Sequence, residues 1–282
     1  MMQSLNSPDI SERLKINTDI ARQMLTGFIR DEIAKTGLSR AVIGLSGGID
    51  SATSAYLAAE ALGADNVLAV RMPYRSSSAD SLEDADRVIA ALGLQTLTVP
   101  ITEMADPLIE RFPDMSNTRK GNIMARLRMT ILYDQSAAWG GLVMGTSNKT
   151  EILLGYSTLY GDSGVALQPL GDLFKTQVRQ LAAALGVPEP IRQKPPTADL
   201  WAGQTDEGEL GFTYADVDQV LFMLVDERYT VEEVIEEGFE RAFVESVWRR
   251  VKINHYKRTM PNIAKVSRRT VGHDFLYLRD YT

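Results

Sequence analysis

A run of six residues, Ser-Gly-Gly-Ile-Asp-Ser at positions 46–51, lies between two apolar segments. Residues 40–45 before it are mainly aliphatic, and residues 52–62 after it are rich in alanine. This order predicts a buried strand, a tight glycine turn and the start of a helix. Glycines let backbone N–H groups approach an anion, and the helix N-terminus adds partial positive charge. The run therefore predicts a phosphate-binding loop, and with it a nucleotide site.

The loop differs from two common phosphate-binding motifs. No lysine follows its last glycine, as a Walker loop requires, and Ser51 occupies the place of the third glycine in a dinucleotide fingerprint. Asp50 stands where a phosphate is expected, and two anions meet favourably only around a cation. We therefore interpret Asp50 as a Mg²⁺ ligand beside the phosphates. The alternative, that Asp50 or Ser51 only caps the helix, leaves Ser46 and both glycines unexplained.

Apolar periodicity alternates between strands and helices along the chain. Strands are predicted at residues 41–45, 67–72, 95–99 and 142–145. Helices are predicted at residues 17–35, from the loop to 62, and at 80–92, 101–111, 117–139, 173–185 and 242–256. The alternation predicts an α/β fold with a doubly wound parallel sheet and flanking helices. We expect one domain over residues 1–282, with a helical C-terminal part from about residue 213.

The loops that follow the predicted strands indicate where a ligand would bind. Ligands of parallel sheets bind beyond the C-terminal ends of the strands. Ser46, residues 73–78 and Thr146 each follow a predicted strand, so we expect them at one edge. Residues 193–211, rich in proline and glycine, lack periodicity and are predicted to form a long loop that serves as a lid.

The composition excludes several classes of function. The net charge of −7 argues against a surface that coats nucleic acid. No segment has the apolar length to cross a bilayer, and the first residues lack the pattern of a secretory signal. The absence of cysteine excludes disulfides, cysteine zinc sites and thiolate nucleophiles. We expect a cytoplasmic protein with neither nucleic-acid nor membrane partners.

The loop motif resembles that of the ATP pyrophosphatases, which cleave ATP between its α- and β-phosphates to adenylate an oxygen. The motif alone does not distinguish among GMP, asparagine, argininosuccinate and NAD synthetases or tRNA-modifying enzymes. Further segments, in order and over essentially the whole chain, are similar to those of the ammonia-dependent NAD synthetases. These segments are residues 145–151, 155–162, 169–170, 175, 194–200, 206–211 and 256–258.

This resemblance implies the ATP-dependent amidation of deamido-NAD by ammonia. The nicotinate carboxylate would attack the α-phosphate of ATP and release pyrophosphate, and ammonia would then convert the adenylated acid to NAD with loss of AMP. Because the chain has no cysteine for the usual glutaminase mechanism, the donor is expected to be free ammonia or ammonia from a separate glutaminase. The resemblance also implies a homodimer with the dinucleotide near the subunit interface.

The resemblance assigns roles at the ATP site. Mg²⁺ would be bound by Asp50 and Glu151, and Asp50 and Lys175 would act in catalysis, the lysine by neutralising phosphate charge. Without the resemblance, Asn148 and Glu151 would be interpreted as a helix capping pair and Lys175 as a solvated lysine. The implied ATP-binding residues are Gly44, Leu45, Ser46, Gly47, Gly48, Ile49, Asp50, Ser51, Thr146, Lys175 and Thr197.

Arg126, Tyr256 and Lys257 match family positions that contact deamido-NAD. Arg128 is close enough to exchange roles with Arg126, and the basic stretch around both could equally be a solvated helix face. Residues 249–269 contain eight Lys or Arg and no Asp or Glu, which favours an anionic ligand.

The chain also departs from the family pattern. Tyr256 replaces a histidine, so a ring contact could persist without an imidazole proton. Leu159 and Ala166 replace the lysine and aspartate that many ammonia-dependent members carry at the nicotinate-ribose end. Other residues, of this chain or of a second subunit, must then supply these contacts.

The sequence leaves two alternative functions to consider. Another adenylating enzyme, such as a tRNA-modifying ligase, would need an extended basic face and often metal-binding cysteines. A nonenzymatic adenine-nucleotide sensor would not need both Asp50 and Glu151.

Overall fold

A computed structural model describes residues 8–197, 205–259, 261–272 and 274. Its sheet comprises β1 (Ala41–Gly44), β2 (Val67–Arg71), β3 (Gln95–Thr98) and β4 (Leu142–Met144). The α-helices are α1 (Pro8–Arg13), α2 (Thr18–Lys35), α3 (Ile49–Leu62), α4 (Ala79–Leu92), α5 (Thr102–Glu110), α6 (Asn117–Trp139), α7 (Lys149–Leu154), α8 (Lys175–Ala184), α9 (Glu189–Gln193), α10 (Asp206–Leu210), α11 (Tyr214–Leu221), α12 (Val231–Glu236) and α13 (Arg241–Ile253). No helix among these described residues is long and apolar enough to cross a membrane.

All strand pairs are parallel, and the strand order is β3-β2-β1-β4. The chain builds outward from β1 through β2 to β3, and then returns through α5 and α6 to place β4 on the other side of β1. The direction of strand addition therefore reverses between β1 and β4. Such a reversal opens a crevice beyond the carboxyl ends of the strands. The glycine loop and Thr146 follow these two strands, so both lie at this crevice.

Helices cover both faces of the sheet. Ala41 and Ile43 of β1 belong to a core that also contains residues of α2, α3 and α8. Val42 belongs instead to an apolar cluster that includes Leu132 of α6. Because successive strand side chains point to opposite faces, a strand that is apolar at each position suits a sheet covered on both sides. The predicted doubly wound α/β architecture is confirmed.

A second core is built by the C-terminal helices. Phe174 at the start of α8, Tyr214 of α11 and Val247 of α13 are buried in it together with Leu154 of α7. Since α7 carries Glu151 and α8 begins with Lys175, this core sets the positions of both side chains.

Most predicted boundaries lie within one or two residues of those observed, but the region 193–211 does not follow its prediction. Asp206–Leu210 forms α10, so the prediction of a continuous loop is wrong there. Thr205 caps this helix by accepting a hydrogen bond from the Gly208 N–H, and Gly211 ends it in the left-handed conformation. A helix of five residues is too short to produce a readable periodicity. The central part of the predicted lid, residues 198–204, lies outside the described residues.

Candidate active site

The glycine turn after β1 is held by its own serines. The Ser51 hydroxyl donates to the Gly48 carbonyl (3.0 Å) and accepts from the Ser46 N–H (3.3 Å). The Gly48 N–H donates to the Ser46 hydroxyl at 3.3 Å. Gly47 has a φ of 82°, in the left-handed region that favours glycine. The serine hydroxyls therefore hold the turn in shape, and α3 begins directly after it.

Asp50, in the first turn of α3, meets two residues from distant segments. Lys175 donates from Nζ to Asp50 Oδ2 (2.5 Å) and to Glu151 Oε1 (3.3 Å). Asn148 Nδ2 donates to the other Asp50 oxygen at 3.0 Å. The N-cap of α3 is Gly48 and no side chain caps the helix, so the alternative in which Asp50 or Ser51 acts as the cap is wrong. The structure thus brings Asp50, Glu151 and Lys175 together in one cluster.

Glu151 is oriented by the hydrogen bonds that begin α7. The Asn148 side chain accepts from the Glu151 N–H (3.0 Å), and Glu151 Oε2 accepts from the Asn148 N–H (3.3 Å). This reciprocal pair is a capping box, as the sequence alone suggested. The remaining Glu151 oxygen is the one that faces Lys175. The cap therefore directs one carboxylate oxygen into the cluster.

A buried network joins α7 to α8 directly behind the cluster. Asp218 of α11, fully buried, accepts from the Thr150 hydroxyl (2.5 Å) and the Thr176 N–H (2.8 Å). The Thr150 hydroxyl in turn accepts from the Lys175 N–H at 3.0 Å. Burial raises the pKa of Asp218 to about 6, although the hydrogen bonds from Thr150 and Thr176 act in the opposite direction. The network fixes the backbone next to Glu151 and Lys175.

Burial and the charges of neighbouring side chains both shift the pKa values of the cluster. Burial alone would lower the pKa of the Lys175 ammonium, but the carboxylates of Asp50 and Glu151 raise it above its ordinary value. Burial also raises the pKa of Glu151, and the charge of Asp50 adds to this effect while Lys175 opposes it. A further cation between the two carboxylates would favour the ionised form of both. The site is therefore suited to additional positive charge.

The donor set fits magnesium in type and number. Mg²⁺ prefers oxygen ligands and is usually held by one or two carboxylates together with water and substrate phosphates. Within the described ranges, no group of three or more His, Cys, Asp or Glu is arranged to hold a metal. Asp50 and Glu151 would therefore hold the ion only with the help of phosphate oxygens, and the adjoining glycine turn is suited to accept these.

Asp206 lies beside the cluster, and the sequence did not assign it a role. It accepts hydrogen bonds from the hydroxyls of Tyr156 and Tyr214, each at 3.2 Å. The Lys175 ammonium lies 5.0 Å from the centre of the Tyr214 ring, within cation–π range. Burial raises the pKa of Asp206, whereas Lys175 lowers it. The family-like segment 206–211 could have indicated that Asp206 belongs to the site. Tyr214 lies outside every such segment, so no sequence pattern indicated its position.

Three of the other predicted ATP contacts, Gly44, Leu45 and Thr146, lie near the ends of strands, and Thr197 does not. Gly44 is the last residue of β1, and the N–H of the buried Leu45 donates to the Val70 carbonyl at 3.0 Å. Thr146 follows β4 and is half-buried. Thr197 lies in the segment after α9. Contact of these residues with ATP stays a prediction.

Arg126 and Arg128 of α6 are directed to different segments. Arg126 is exposed, and its Nε and Nη2 donate to the Leu159 carbonyl at 3.3 and 3.2 Å. Arg128 donates from Nε to the Met72 carbonyl, beyond the end of β2, at 3.1 Å. Arg126 is therefore the arginine beside Leu159.

The predicted substrate pair Tyr256 and Lys257 lies beside the end of α7. Lys257 donates from Nζ to the carbonyls of Gly155 and Ser157, both at 2.7 Å. Burial lowers the pKa of Lys257. Tyr256 is exposed. At least part of the positive charge in residues 249–269 thus stabilises backbone carbonyls, a use that the charge pattern did not reveal.

An apolar stripe on α5 adjoins Arg126. Met104 and Leu108 lie one turn apart on α5, Phe112 follows just beyond the end of the helix, and the three residues are 43–47% exposed. Leu108 and Phe112 also line a cavity of about 250 Å³ that reaches Arg126. Contiguous exposed apolar surface of this kind is typical of protein–protein contacts.

Comparison with known proteins identifies close relatives. The sequence profile of the NAD synthase family matches residues 21–261. The NH(3)-dependent NAD(+) synthetase of Trichlorobacter lovleyi is 56% identical over 269 residues, which are 95% of this chain and 98% of that protein.

Two solved structures share the fold. The NH3-dependent NAD synthetase from Campylobacter jejuni, in complex with the nitrate ion, is 33% identical with a TM-score of 0.76. The NMN synthetase from Francisella tularensis is 31% identical with a TM-score of 0.78. Each similarity covers 89% of this chain and 100% of the other.

Proposed function

The chain belongs to the NAD synthase family, and from this we propose which residues carry the reaction and how. The protein is an ATP-dependent ligase that forms a C–N bond, converting deamido-NAD and ammonia to NAD with release of AMP and pyrophosphate. The nicotinate carboxylate attacks the α-phosphate as pyrophosphate leaves, and ammonia then attacks the activated carbonyl as AMP leaves. The observation that supports the site is the meeting of Asp50, Glu151 and Lys175 beyond the reversal in strand order.

Lys175 is proposed to neutralise the charge that develops on pyrophosphate. Its ammonium is buried and held by two carboxylates, so it is already oriented before ATP binds. A fixed cation in a site of low dielectric stabilises developing negative charge strongly, since nothing has to reorganise during the reaction. Mg²⁺, which Asp50 and Glu151 would hold, supplies Lewis-acid stabilisation of the phosphate oxygens when bound. No protein nucleophile is needed, in keeping with a chain without cysteine.

The two substrates are proposed to lie in adjoining parts of the crevice, because the nicotinate carboxylate has to reach the α-phosphate of ATP. ATP would lie along residues 44–51 and contact Thr146, Lys175 and Thr197. Deamido-NAD would contact Arg126, Tyr256 and Lys257. The positions of Arg126 and Lys257 against the loop that begins at residue 155 support a shared substrate surface.

We propose a homodimer in which a second copy covers the apolar stripe of α5 and the adjoining cavity. The stripe lies next to Arg126, at the end of the site where Leu159 and Ala166 provide no charge. A partner subunit at this position could supply the missing contacts to the nicotinate ribose. The site of one protomer would then be completed by the other.

Free ammonia is the proposed nitrogen donor, either from solution or from a separate glutaminase. The absence of cysteine supports this choice. We further propose that the enzyme acts in the cytoplasm and without nucleic-acid partners, as its acidic composition suggests.

The reaction is tested by measuring NAD and pyrophosphate with ATP, Mg²⁺, ammonia and deamido-NAD, omitting each in turn. We expect NAD and AMP to form only when all four are present. Glutamine in place of ammonia should give no NAD with the isolated protein. Formation of ADP instead of AMP would contradict cleavage at the α-phosphate.

Nicotinate mononucleotide is the informative alternative substrate, because one similar solved structure is an NMN synthetase. We expect kcat/KM to be higher for deamido-NAD, as in an NAD synthetase. The reverse preference would mean that the chain amidates the mononucleotide by the same ATP chemistry.

A further inference from the structure

Lys194 makes a partly buried ion pair with a residue to which no role has been assigned above. Its Nζ lies 3.0 Å from Asp84 Oδ2 and donates to Ser81 Oγ at 3.1 Å. Asp84 and Ser81 lie near the start of α4, and the Asp84 side chain is only 5% exposed. Arg87 of the same helix donates to the other Asp84 oxygen at 2.6 Å. The carboxylate is therefore held between two cations, and Lys194 is the one that comes from another segment.

The same part of α4 supports the phosphate loop. A Cβ built on Gly47 would lie 2.1 Å from the Ser81 carbonyl oxygen and 3.2 Å from Asp84 Cβ. The loop thus packs directly on the α4 backbone, with no space for a side chain at Gly47. Lys194 is bonded to the same two residues on which Gly47 rests.

Lys194 also begins the short segment that leads to Thr197, the predicted ATP contact. The Pro196 carbonyl accepts from the Asp206 N–H at 3.0 Å, which attaches this segment to α10. Pro195 and Pro196 restrict the backbone between the two attachments. The segment can therefore move away from the phosphate loop only if the pair of Lys194 and Asp84 separates.

We propose that Lys194 is a positioning residue for ATP, which holds the segment carrying Thr197 against the phosphate loop through Asp84 and Ser81. This inference rests on the proposed binding of ATP at that loop. Lys194 acts through Asp84 and does not itself contact the nucleotide. Its loss weakens ATP binding and leaves the deamido-NAD site unchanged.

The test is Lys194→Met, which keeps the aliphatic stem and removes the ammonium. We expect the KM for ATP to rise about tenfold, while kcat and the KM for deamido-NAD stay within about twofold of wild type. Lys194→Arg should restore most of the ATP affinity, because a guanidinium can bind the same carboxylate. Calorimetric titration with α,β-methylene-ATP and Mg²⁺ measures the same loss of affinity without turnover.

Arg87→Met is the matched control, since it removes the other cation from the same carboxylate and leaves the 194–197 segment attached. Its KM for ATP should stay within about twofold of wild type. Equal increases in the two methionine variants, or an unchanged KM in Lys194→Met, would overturn the positioning role.

A second set of variants covers the case in which Lys194→Met unfolds at the assay temperature. Lys194→Gln and Asp84→Asn should each raise the KM for ATP, and the double variant should exceed the larger single effect only slightly, because both remove one contact. Fully additive effects would overturn the proposal. A wild-type protein that makes no NAD and AMP would refute the proposed function, whereas an active wild type with an ATP KM insensitive to Lys194 refutes only the positioning role.

Discussion

Glu151 uses the same carboxylate to cap a helix and to join the cluster with Asp50 and Lys175. One of its oxygens completes the capping box with Asn148, and the other faces Lys175. A carboxylate has two oxygens and several lone pairs, so structural and functional interpretations of this residue do not exclude each other. The capping geometry restricts the rotation of this side chain, which would favour the proposed metal binding. The capping motif alone could not reveal that Glu151 also faces Lys175 and Asp50, because Asp50 lies about one hundred residues earlier in the chain.

At the residue scale, the first prediction concerns Asp50→Asn. The amide keeps the shape of the side chain but loses the charge that faces Lys175 and the proposed Mg²⁺. We expect the rate of NAD formation to fall about 10³-fold, with a cooperative unfolding transition retained. Asp172→Asn is the control, because that side chain is 96% exposed, and its rate should stay within about twofold of wild type. An Asp50→Asn rate near wild type would contradict the proposed role.

The second prediction at this scale concerns Asp218, whose pKa burial raises from 3.8 to about 6. The folded protein therefore holds this proton more tightly than the unfolded chain does. The resulting stabilisation is complete below about pH 4 and is lost as the pH rises through about 6. We expect wild type to lose about 3 kcal/mol of unfolding free energy relative to Asp218→Asn between pH 4 and pH 7. Urea unfolding of both proteins across this range is the measurement, and parallel pH profiles would contradict the prediction.

At the scale of elements, local signals explain which parts of the structure the sequence could predict. The bounds of α6 agree with the prediction because Ser116 caps its N-terminus and Gly140 ends it in the left-handed conformation. The bond between Thr150 and Asp218 joins residues 68 positions apart, and no periodicity encodes it. The cation–π contact of Lys175 with Tyr214 is equally a product of tertiary packing. Sequence reasoning therefore predicted the strand ends that form the crevice and missed the groups that support it from α10 and α11.

The prediction at this scale contrasts the two glycines of the phosphate loop. Gly47→Ala must adopt a φ near 82° and place its Cβ 2.1 Å from the Ser81 carbonyl oxygen, so the loop or α4 has to shift. We expect a loss of at least about 2 kcal/mol of unfolding free energy. Gly48 has a φ of −83°, and its Cβ would lie 3.4 Å from Ser46 Oγ. Gly48→Ala should therefore cost no more than about 1 kcal/mol, and equal losses by urea unfolding would contradict this account of the loop.

At the scale of the whole molecule, the cluster of Asp50, Glu151 and Lys175 lies where the two cores meet. Asp50 belongs to α3, which packs in the sheet core, whereas the helix of Glu151 packs in the C-terminal core. The α8 region joins the two, since Phe174 is buried in the C-terminal core and Val178 in the sheet core. Lys175 lies between these two anchors and bonds to a carboxylate from each side. The C-terminal helices are thus required to form the site, although they contribute few of its side chains.

The final prediction concerns the proposed dimer and uses Phe112→Glu. A carboxylate in place of this ring, at the C-terminal end of the stripe, would put a charge into the apolar contact if a second copy covered this face, which is unfavourable. We expect the variant to sediment as a monomer at concentrations where wild type is a dimer, and to lose activity because no partner completes the nicotinate end. Met24→Glu on α2 is the matched control, because Met24 is 68% exposed and lies outside the stripe. This variant should stay dimeric and active. A monomeric wild type with full activity, or a dimeric Phe112→Glu variant, would show that the α5 stripe is not the interface that completes the site.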